Sequence, residues 1–154
     1  MINNVFLYEI RRYVNCLKFN KNHHKCLKMI KNLIITCLLG MLAIILGAFA
    51  AHALKDSLTT DQLLSFETAV RYQMYHVIVL FFVNTYHGFS LVQKNRISLF
   101  FFFGILCFSG SIYVIQLTKI TAKSIWFVTP FGGVLLVIGW GCMLAYFITK
   151  ELKK

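Results

Sequence analysis

The stretch Phe66-Glu67-Thr68-Ala69-Val70-Arg71-Tyr72-Gln73-Met74-Tyr75-His76 decides how this chain must fold. It places a carboxylate, a guanidinium and an imidazole directly before the apolar run 77–83. An ionisable side chain at the centre of a bilayer costs roughly 2.5–3.5 kcal/mol on insertion scales. If this stretch enters a membrane, its polar side chains must therefore be paired with other groups, hydrated or required for function.

The composition indicates that the stretch does enter a membrane. Apolar residues make up 58% of the chain, and the mean hydropathy is +0.70. Soluble domains contain about 45–50% apolar residues. Five acidic residues are too few to cover a water-facing surface. We therefore predict an all-α, integral membrane four-helix bundle with short loops rather than a soluble domain.

The net charge of +11 has two readings. In a soluble protein it would suggest nucleic acid. In a membrane protein, Lys and Arg concentrate in the cytoplasmic loops. The second reading fits the apolar composition, so we predict no nucleic-acid partner.

The five cysteines form no C-x-x-C pair, and three of them lie in apolar runs, where Cys behaves as a small hydrophobe. They indicate no disulfide framework. The pair His23-His24 stands beside Cys26, but no second pair completes a metal site. We predict neither a metal nor a cofactor.

Two regions are predicted along the chain. Residues 1–32 form a basic leader, which is either disordered, a short amphipathic helix on the membrane surface, or upstream of a translation start at Met29. Residues 33–154 form the transmembrane domain, with spans at 33–54, 70–92, 97–118 and 129–149.

Local signals suggest where the helices begin. Thr59 and Gln62 have the spacing of a capping box. The segment Gln93-Lys94-Asn95-Arg96 is predicted to be a turn. Thr129 is predicted to be the N-cap of the last span, with Pro130 at its first position. Small residues and a proline are predicted to allow close helix packing, namely Ala43, Gly47, Ala51, Ser109, Gly110, Ser111, Pro130, Gly132 and Gly133.

Four spans place both termini on one side, and the excess of Lys and Arg there predicts that this side is cytoplasmic. Polar side chains then collect toward the outer side. The candidates for a polar binding pocket are His52, Glu67, Arg71, Tyr72, His76, Gln116 and Thr129. The alternative is structural: Glu67 and Arg71 form an intrahelical ion pair, and His52 caps a neighbouring helix.

His76 also has two interpretations. It could carry protons, since imidazole titrates near neutral pH, or it could form a hydrogen bond between helices. Ser109 and Ser111 have no adjacent Asp–His arrangement, and no H-E-x-x-H or phosphate-binding glycine loop occurs. We predict no catalytic residues and no enzymatic activity.

Several unusual peptides follow one another along the chain. They are Leu46-Gly47-Ala48-Phe49-Ala50-Ala51-His52-Ala53-Leu54-Lys55, the stretch 66–76, Phe108-Ser109-Gly110-Ser111-Ile112-Tyr113, Thr129-Pro130-Phe131-Gly132-Gly133 and Gly139-Trp140. In these peptides and their order, the chain resembles the YgdD-like family of small bacterial membrane proteins from about Met29 onward. It departs from the family at Ala50, where the family has Gly, and in its basic leader. The resemblance implies a four-span bundle in the bacterial inner (cytoplasmic) membrane, and it brings no established activity.

Two functions are compatible with these patterns. The leading hypothesis is a non-enzymatic protein that binds a lipid or small solute, or supports a membrane complex, through the outer polar pocket. The runner-up is a small oligomeric transporter or proton-coupled carrier that uses Glu67 and His76. Expected partners are membrane lipids and either a second copy of the chain or another membrane protein.

Overall fold

The computed structural model describes residues 23–118 and 120–152, which form four long helices and no strand. Helix α1 spans His23–Phe49 and continues as a π-helical turn, Ala50–Leu54. Helices α2, α3 and α4 span Thr60–Thr85, Leu91–Leu117 and Val128–Glu151, with a short 3₁₀ turn at Ala122–Ile125. The all-α prediction is confirmed. Residues 1–22, most of the predicted leader, lie outside the described residues.

The helices have the length and surface of a membrane protein. Three segments among the described residues are long and apolar enough to span a bilayer, namely Ile30–Leu54, Leu91–Leu117 and Val128–Glu151. Large apolar side chains cover the outside of the molecule, including Ile44, Leu106, Val137 and Leu144. Helix α2 is less apolar, but its 26 residues extend about 39 Å at 1.5 Å per residue. The chain is an all-α integral membrane four-helix bundle.

Consecutive helices are antiparallel neighbours. Helix α2 packs on α1 and α3, helix α4 packs most extensively on α3, and α1 also touches α3. We call the end with the α1–α2 and α3–α4 connections the loop end. The opposite end, with the start of α1, the α2–α3 turn and the end of α4, is the terminal end.

Capping boxes start α2 and α3. The predicted box at α2 is confirmed: the Thr59 backbone N donates to Gln62 Oε1 at 2.9 Å, and Gln62 N donates to Thr59 Oγ1 at 3.4 Å. A second box, Ser90 with Gln93, starts α3. The predicted turn at 93–96 is therefore wrong, because its residues lie in the first turns of α3.

Because the Ser90–Gln93 capping box starts α3 early, the limits of two helices differ from those of the predicted spans. Helix α2 ends at Thr85 rather than near 92, because Tyr86 has an extended backbone. Helix α3 begins at Leu91 rather than at 97. The prediction that Thr129 caps α4 is wrong as well, since Phe127 occupies the N-cap and Thr129 is already helical.

The predicted small-residue stripe on α1 faces α2 for most of its length. Ala43 is fully buried, and Cβ atoms added at Gly40 and Gly47 would lie 3.2 and 3.4 Å from Val77 and Val70. Ala51 was predicted to extend the stripe but is exposed, and Ala50 is buried instead. The π turn explains this correction, because it places more residues in each turn than an α-helix and rotates the following side chains.

Glycines bring α3 and α4 close together. A Cβ added at Gly132 would lie 2.3 Å from the backbone N of Phe108, and one added at Gly139 would lie 2.8 Å from the Phe101 ring. Gly133 and Gly110, also predicted to permit packing, have only ordinary contacts at 3.8 Å. The predicted packing residue Pro130 is exposed. Gly132 therefore carries the closest approach of the two helices.

A hydrogen-bonded network joins α1, α2 and α3 near the terminal end. Asn32 Nδ2 donates to Asn84 Oδ1 at 3.1 Å and to Asn95 Oδ1 at 3.0 Å. Asn84 Nδ2 donates to Ser98 Oγ at 2.9 Å and to the Leu80 carbonyl at 2.8 Å. The Lys94 ammonium donates to the Asn84 carbonyl at 2.7 Å, which satisfies a carbonyl at the end of α2. We call these five polar residues (32, 84, 94, 95 and 98) the terminal-end network.

We predict that Gly132→Ala destabilises the bundle by about 1–3 kcal/mol, because the new methyl group would overlap the α3 backbone. The matched control is Gly133→Ala, whose methyl group meets only ordinary contacts. Thermal unfolding in detergent should show a lower midpoint for Gly132→Ala alone. Equal midpoints for the two variants would contradict the close α3–α4 contact.

We also predict that Asn84→Leu destabilises the protein by about 1–3 kcal/mol, since it leaves buried polar partners unpaired. The control is Thr85→Val, because the Thr85 hydroxyl bonds only carbonyls of its own helix. The same thermal measurement should separate the two variants. If Asn84→Leu is as stable as Thr85→Val, the terminal-end network does not hold the helices together.

Candidate functional site

Glu67 and Arg71 face outward from α2 near the loop end. Arg71 Nη1 lies 3.7 Å from Glu67 Oε2, and the two side chains are 51% and 42% exposed, respectively. Arg71 Nη2 donates to Thr68 Oγ1 at 2.9 Å. The intrahelical pairing predicted from the four-residue spacing is confirmed. Its distance exceeds that of a direct hydrogen bond, so this is a loose ion pair.

A groove of about 330 Å³ lies beside this pair, between α2 and α3. It is lined by Leu64, Ser65, Thr68, Ile112, Ile115, Gln116 and Ala122. The Gln116 amide is partly buried and makes no hydrogen bond to another described residue. Arg71 does not line the groove itself, but its guanidinium is bonded to Thr68, which does, and so adds a positive charge at the rim. We call this feature the loop-end groove.

His52 lies in the π turn at the end of α1, and its side chain is exposed. The buried residues of that turn, Ala50 and Leu54, pack against Phe66 of α2. His52 is absent from the lining of the loop-end groove. The structure thus places Gln116 and Thr68 in one groove, with Arg71 bonded to Thr68, and it leaves His52 outside this set.

His76 lies on another side of α2, toward α4, and the nearby Tyr72 ring stacks on Phe108 of α3 with the ring centroids 4.8 Å apart. His76 Nδ1 is 2.7 Å from the Tyr72 carbonyl, and Trp140 Nε1 donates to His76 Nε2 at 3.4 Å. A carbonyl only accepts, so Nδ1 carries the proton and Nε2 is the acceptor. The interpretation of His76 as a link between helices is confirmed.

The hydrogen bonds of His76 affect the interpretation that this residue carries protons. A proton added at Nε2 would meet the N–H of Trp140, so that hydrogen bond would have to break first. Glu67 points away from His76 on the opposite side of α2, as 100° per residue requires. The geometry therefore does not favour a relay between these two groups.

The serine hydroxyls of α3 form hydrogen bonds to other helices and do not belong to a catalytic group. Ser109 Oγ donates to the Ala69 carbonyl of α2 at 2.8 Å. Ser111 Oγ and Thr129 Oγ1 are 2.6 Å apart, which joins α3 to α4. Thr129 was predicted to line the pocket, but its hydroxyl is engaged in this contact. Neither serine has an Asp–His partner in these bonds.

Gln73 is a polar residue buried in the middle of the bundle. Its Nε2 donates to the Leu39 carbonyl of α1 at 2.7 Å, and its Oε1 accepts from Tyr113 Oη of α3 at 2.9 Å. It is 1% exposed. Gln73 links three helices but offers no open site.

Sequence reasoning missed the partners of Asn84 in the terminal-end network. Lys94 was assigned to a turn, yet it is 5% exposed. The Ser90–Gln93 spacing could have revealed that Lys94 is helical and close to the end of α2. Among residues 23–118 and 120–152, no group of three His, Cys, Asp or Glu side chains could hold a metal ion.

Comparisons with known proteins agree with the fold. Residues 46–133 match the family described as "Protein of unknown function (DUF423)". This segment includes the Glu67–Arg71 pair, the loop-end groove and Ser111 with Thr129. No solved structure matches the chain.

Similar proteins are known from several bacteria. A UPF0382 membrane protein of Staphylococcus saprophyticus is 40% identical over 108 residues, covering 70% of this chain and 88% of the relative. A UPF0382 membrane protein of Staphylococcus aureus is 39% identical over 108 residues, covering 70% and 87%. The UPF0382 inner membrane protein YgdD of Escherichia coli is 32% identical over 128 residues, covering 79% and 92%. The chain belongs to this DUF423 family of bacterial membrane proteins.

Proposed function

We propose that the chain is a non-enzymatic lipid-binding protein and that the loop-end groove is its binding site. The observation that carries this proposal is the mixed lining of the groove. Ser65, Thr68 and Gln116 supply polar groups, while Leu64, Ile112 and Ile115 supply apolar surface. A ligand that is polar at one end and apolar along its length matches both.

The charge at the rim suggests the chemistry of the headgroup. Arg71 binds Thr68 through Nη2 and retains further N–H groups, because a guanidinium has five donors. Arginine suits phosphate oxygens, which it can bind through two parallel hydrogen bonds. A phospholipid headgroup therefore fits better than an apolar solute. Gln116 adds an uncharged donor and acceptor on the α3 wall.

We further propose that the groove opens to the outer leaflet and that both termini are cytoplasmic. Described basic residues at the terminal end are Lys31, Lys94, Arg96 and Lys150. Described basic residues at the loop end are Lys55 and Lys123. Asp56 and Asp61 accompany the loop-end cations. Cytoplasmic loops carry the excess of Lys and Arg, which supports this orientation.

The inner membrane is the proposed location, because relatives are named inner membrane proteins. A proton-coupled carrier is the second candidate from the sequence. The hydrogen bonds of His76 do not favour it, so the lipid site is the function proposed.

We predict that the purified protein retains a phospholipid in native mass spectrometry from a mild detergent. Arg71→Gln and Gln116→Leu should each weaken retention about tenfold or more, since a hydrogen bond to a charged group contributes about 1.5–3 kcal/mol. The matched control, Arg96→Gln, removes an exposed cation at the terminal end. It should retain lipid as the unaltered chain does.

Two results would contradict this proposal. One is a folded protein that carries no lipid even after phospholipid is added back. The other is equal lipid retention by the unaltered chain, Arg71→Gln and Gln116→Leu, because the groove would then not be the site.

A further inference from the structure

We infer that the α3–α4 connection lies in the headgroup layer of the lipid leaflet at the loop end and anchors the bundle there through Trp126 and Phe127. The structure describes residues 118 and 120–127 of this connection. The phospholipid headgroups are the partner that it contacts. This inference goes beyond the proposed lipid site, and the depth of the connection does not depend on that site.

The connection exposes three large apolar side chains. Ile120, Trp126 and Phe127 are 43%, 71% and 58% exposed, respectively. Between them lie exposed polar side chains, including Lys123 and Ser124. Trp is enriched where the membrane meets water, because its ring is apolar and its N–H can bond to headgroups or water. This mixture fits the headgroup layer better than it fits either water or the hydrocarbon.

The depth of the connection can be measured from the terminal end. There, Lys150 Nζ donates to Tyr86 Oη at 3.1 Å and lies 6.0 Å from the centroid of the Tyr146 ring. Tyr146 Oη donates to the Gly88 carbonyl at 2.6 Å. Tyr and Lys side chains place their polar tips at the membrane surface and their apolar parts below it. Tyr86 and Tyr146 therefore mark the hydrocarbon boundary at the terminal end.

Two helices give the same distance from this boundary to the loop end. Along α2, Glu67 lies about 28 Å from Tyr86 at 1.5 Å per residue. Along α4, the same rise places Phe127 about 28 Å from Tyr146. The hydrocarbon layer is about 30 Å thick, so Glu67 and Phe127 both lie at its second boundary.

Helix α3 shows how far the connection rises above that second boundary. The rings of Phe66 and Tyr113 have centroids 4.9 Å apart, so α3 reaches the boundary near Tyr113. Leu117 ends α3 about 6 Å beyond it. Each headgroup layer is roughly 5–7 Å thick, since the whole bilayer measures about 40–45 Å. The chain therefore leaves α3 within the headgroup layer and returns to the hydrocarbon boundary at Phe127.

The α1–α2 connection at the same end has different surroundings. Thr60, which begins α2, lies about 10 Å beyond the hydrocarbon boundary and thus past the headgroup layer. The exposed side chains of this connection include Lys55, Asp56 and Ser57, whereas Leu58 packs against the buried apolar residues of the bundle. One connection is therefore suited to water and the other to the headgroups.

The depth has a consequence for the loop-end groove, and this step rests on the proposed lipid site. Ala122 lines the groove and lies in the 3₁₀ turn of the α3–α4 connection. The mouth of the groove is therefore at the level of the headgroups. A phospholipid reaches it sideways within its own leaflet and does not have to cross water.

Tryptophan fluorescence tests the depth, because Trp126 and Trp140 are the two tryptophans of the chain. The Trp140→Phe variant, reconstituted in phosphatidylcholine vesicles, reports Trp126 alone. Bromine atoms high on the acyl chains should quench Trp126 about twice as strongly as bromine atoms near the chain ends, because Trp126 lies at the interface. The matched control, Trp126→Phe, reports Trp140, which lies within about 5 Å of the middle of the hydrocarbon. Bromine atoms near the chain ends should quench Trp140 more strongly.

Three results would overturn the inference. In the first, aqueous iodide on both sides of the vesicles quenches Trp126 as strongly as free tryptophan and neither brominated lipid does, which places the connection in water. In the second, no quencher reaches Trp126, because a second copy or another protein covers it. In the third, bromine near the chain ends quenches Trp126 as strongly as bromine high on the chains. If the depth is as inferred but no phospholipid is retained, the proposed lipid site alone is wrong.

A labelling experiment keeps the inference testable if the tryptophan variants do not fold. In a chain with its native cysteines replaced by alanine, a membrane-impermeant maleimide should label Ser57→Cys about tenfold faster than Phe127→Cys, because apolar surroundings disfavour the reactive thiolate. Both positions are exposed at the loop end, so their exposure in the protein alone predicts equal rates. Equal rates would overturn the inference.

Discussion

The structure depends on hydrogen bonds that give the polar side chains of α2 partners within a membrane. Lipid offers no hydrogen-bond partners, so each such group must find one in protein. Gln73 reaches α1 and α3, His76 reaches α4, and Asn84 reaches α1 and α3. One helix is thereby bonded to the other three. A helix of this polarity is stable in a bilayer only at the centre of such a set.

The remaining helix–helix contacts are made mainly by van der Waals packing rather than by hydrogen bonds. Helix α3 meets α4 through Gly132 and Gly139, where backbone and ring approach too closely for any larger side chain. Helix α1 presents a small-residue stripe to α2 and a broad apolar surface on its other sides. Hydrogen bonds therefore set which helices surround α2, and van der Waals packing sets how closely α3 and α4 approach. The Glu67–Arg71 pair of α2 stays at the surface of the bundle.

Much of the fold follows from local chemistry in the sequence. Helix content, the capping box at Thr59 and the small-residue seam were predictable, because each depends on neighbouring residues. The π turn was not, since the shift from Ala51 to Ala50 depends on packing against Phe66. The partners of Asn84 were also hidden, because the hydrogen bonds cross 52 positions to Asn32 and 14 to Ser98. Likewise, residue types suggested one polar pocket, whereas the helix directions separate His52 and His76 from the groove beside Arg71.

Helix α2 crosses the membrane as the fourth span, although it is less apolar than the other three helices. The most direct test fuses reporters of membrane side to the amino end, the carboxyl end and each of the three connections. We expect both ends to report the cytoplasmic side and the α2–α3 turn to report the same side. If the two ends report opposite sides, only three helices cross the membrane, and the structure argued from α2 is wrong.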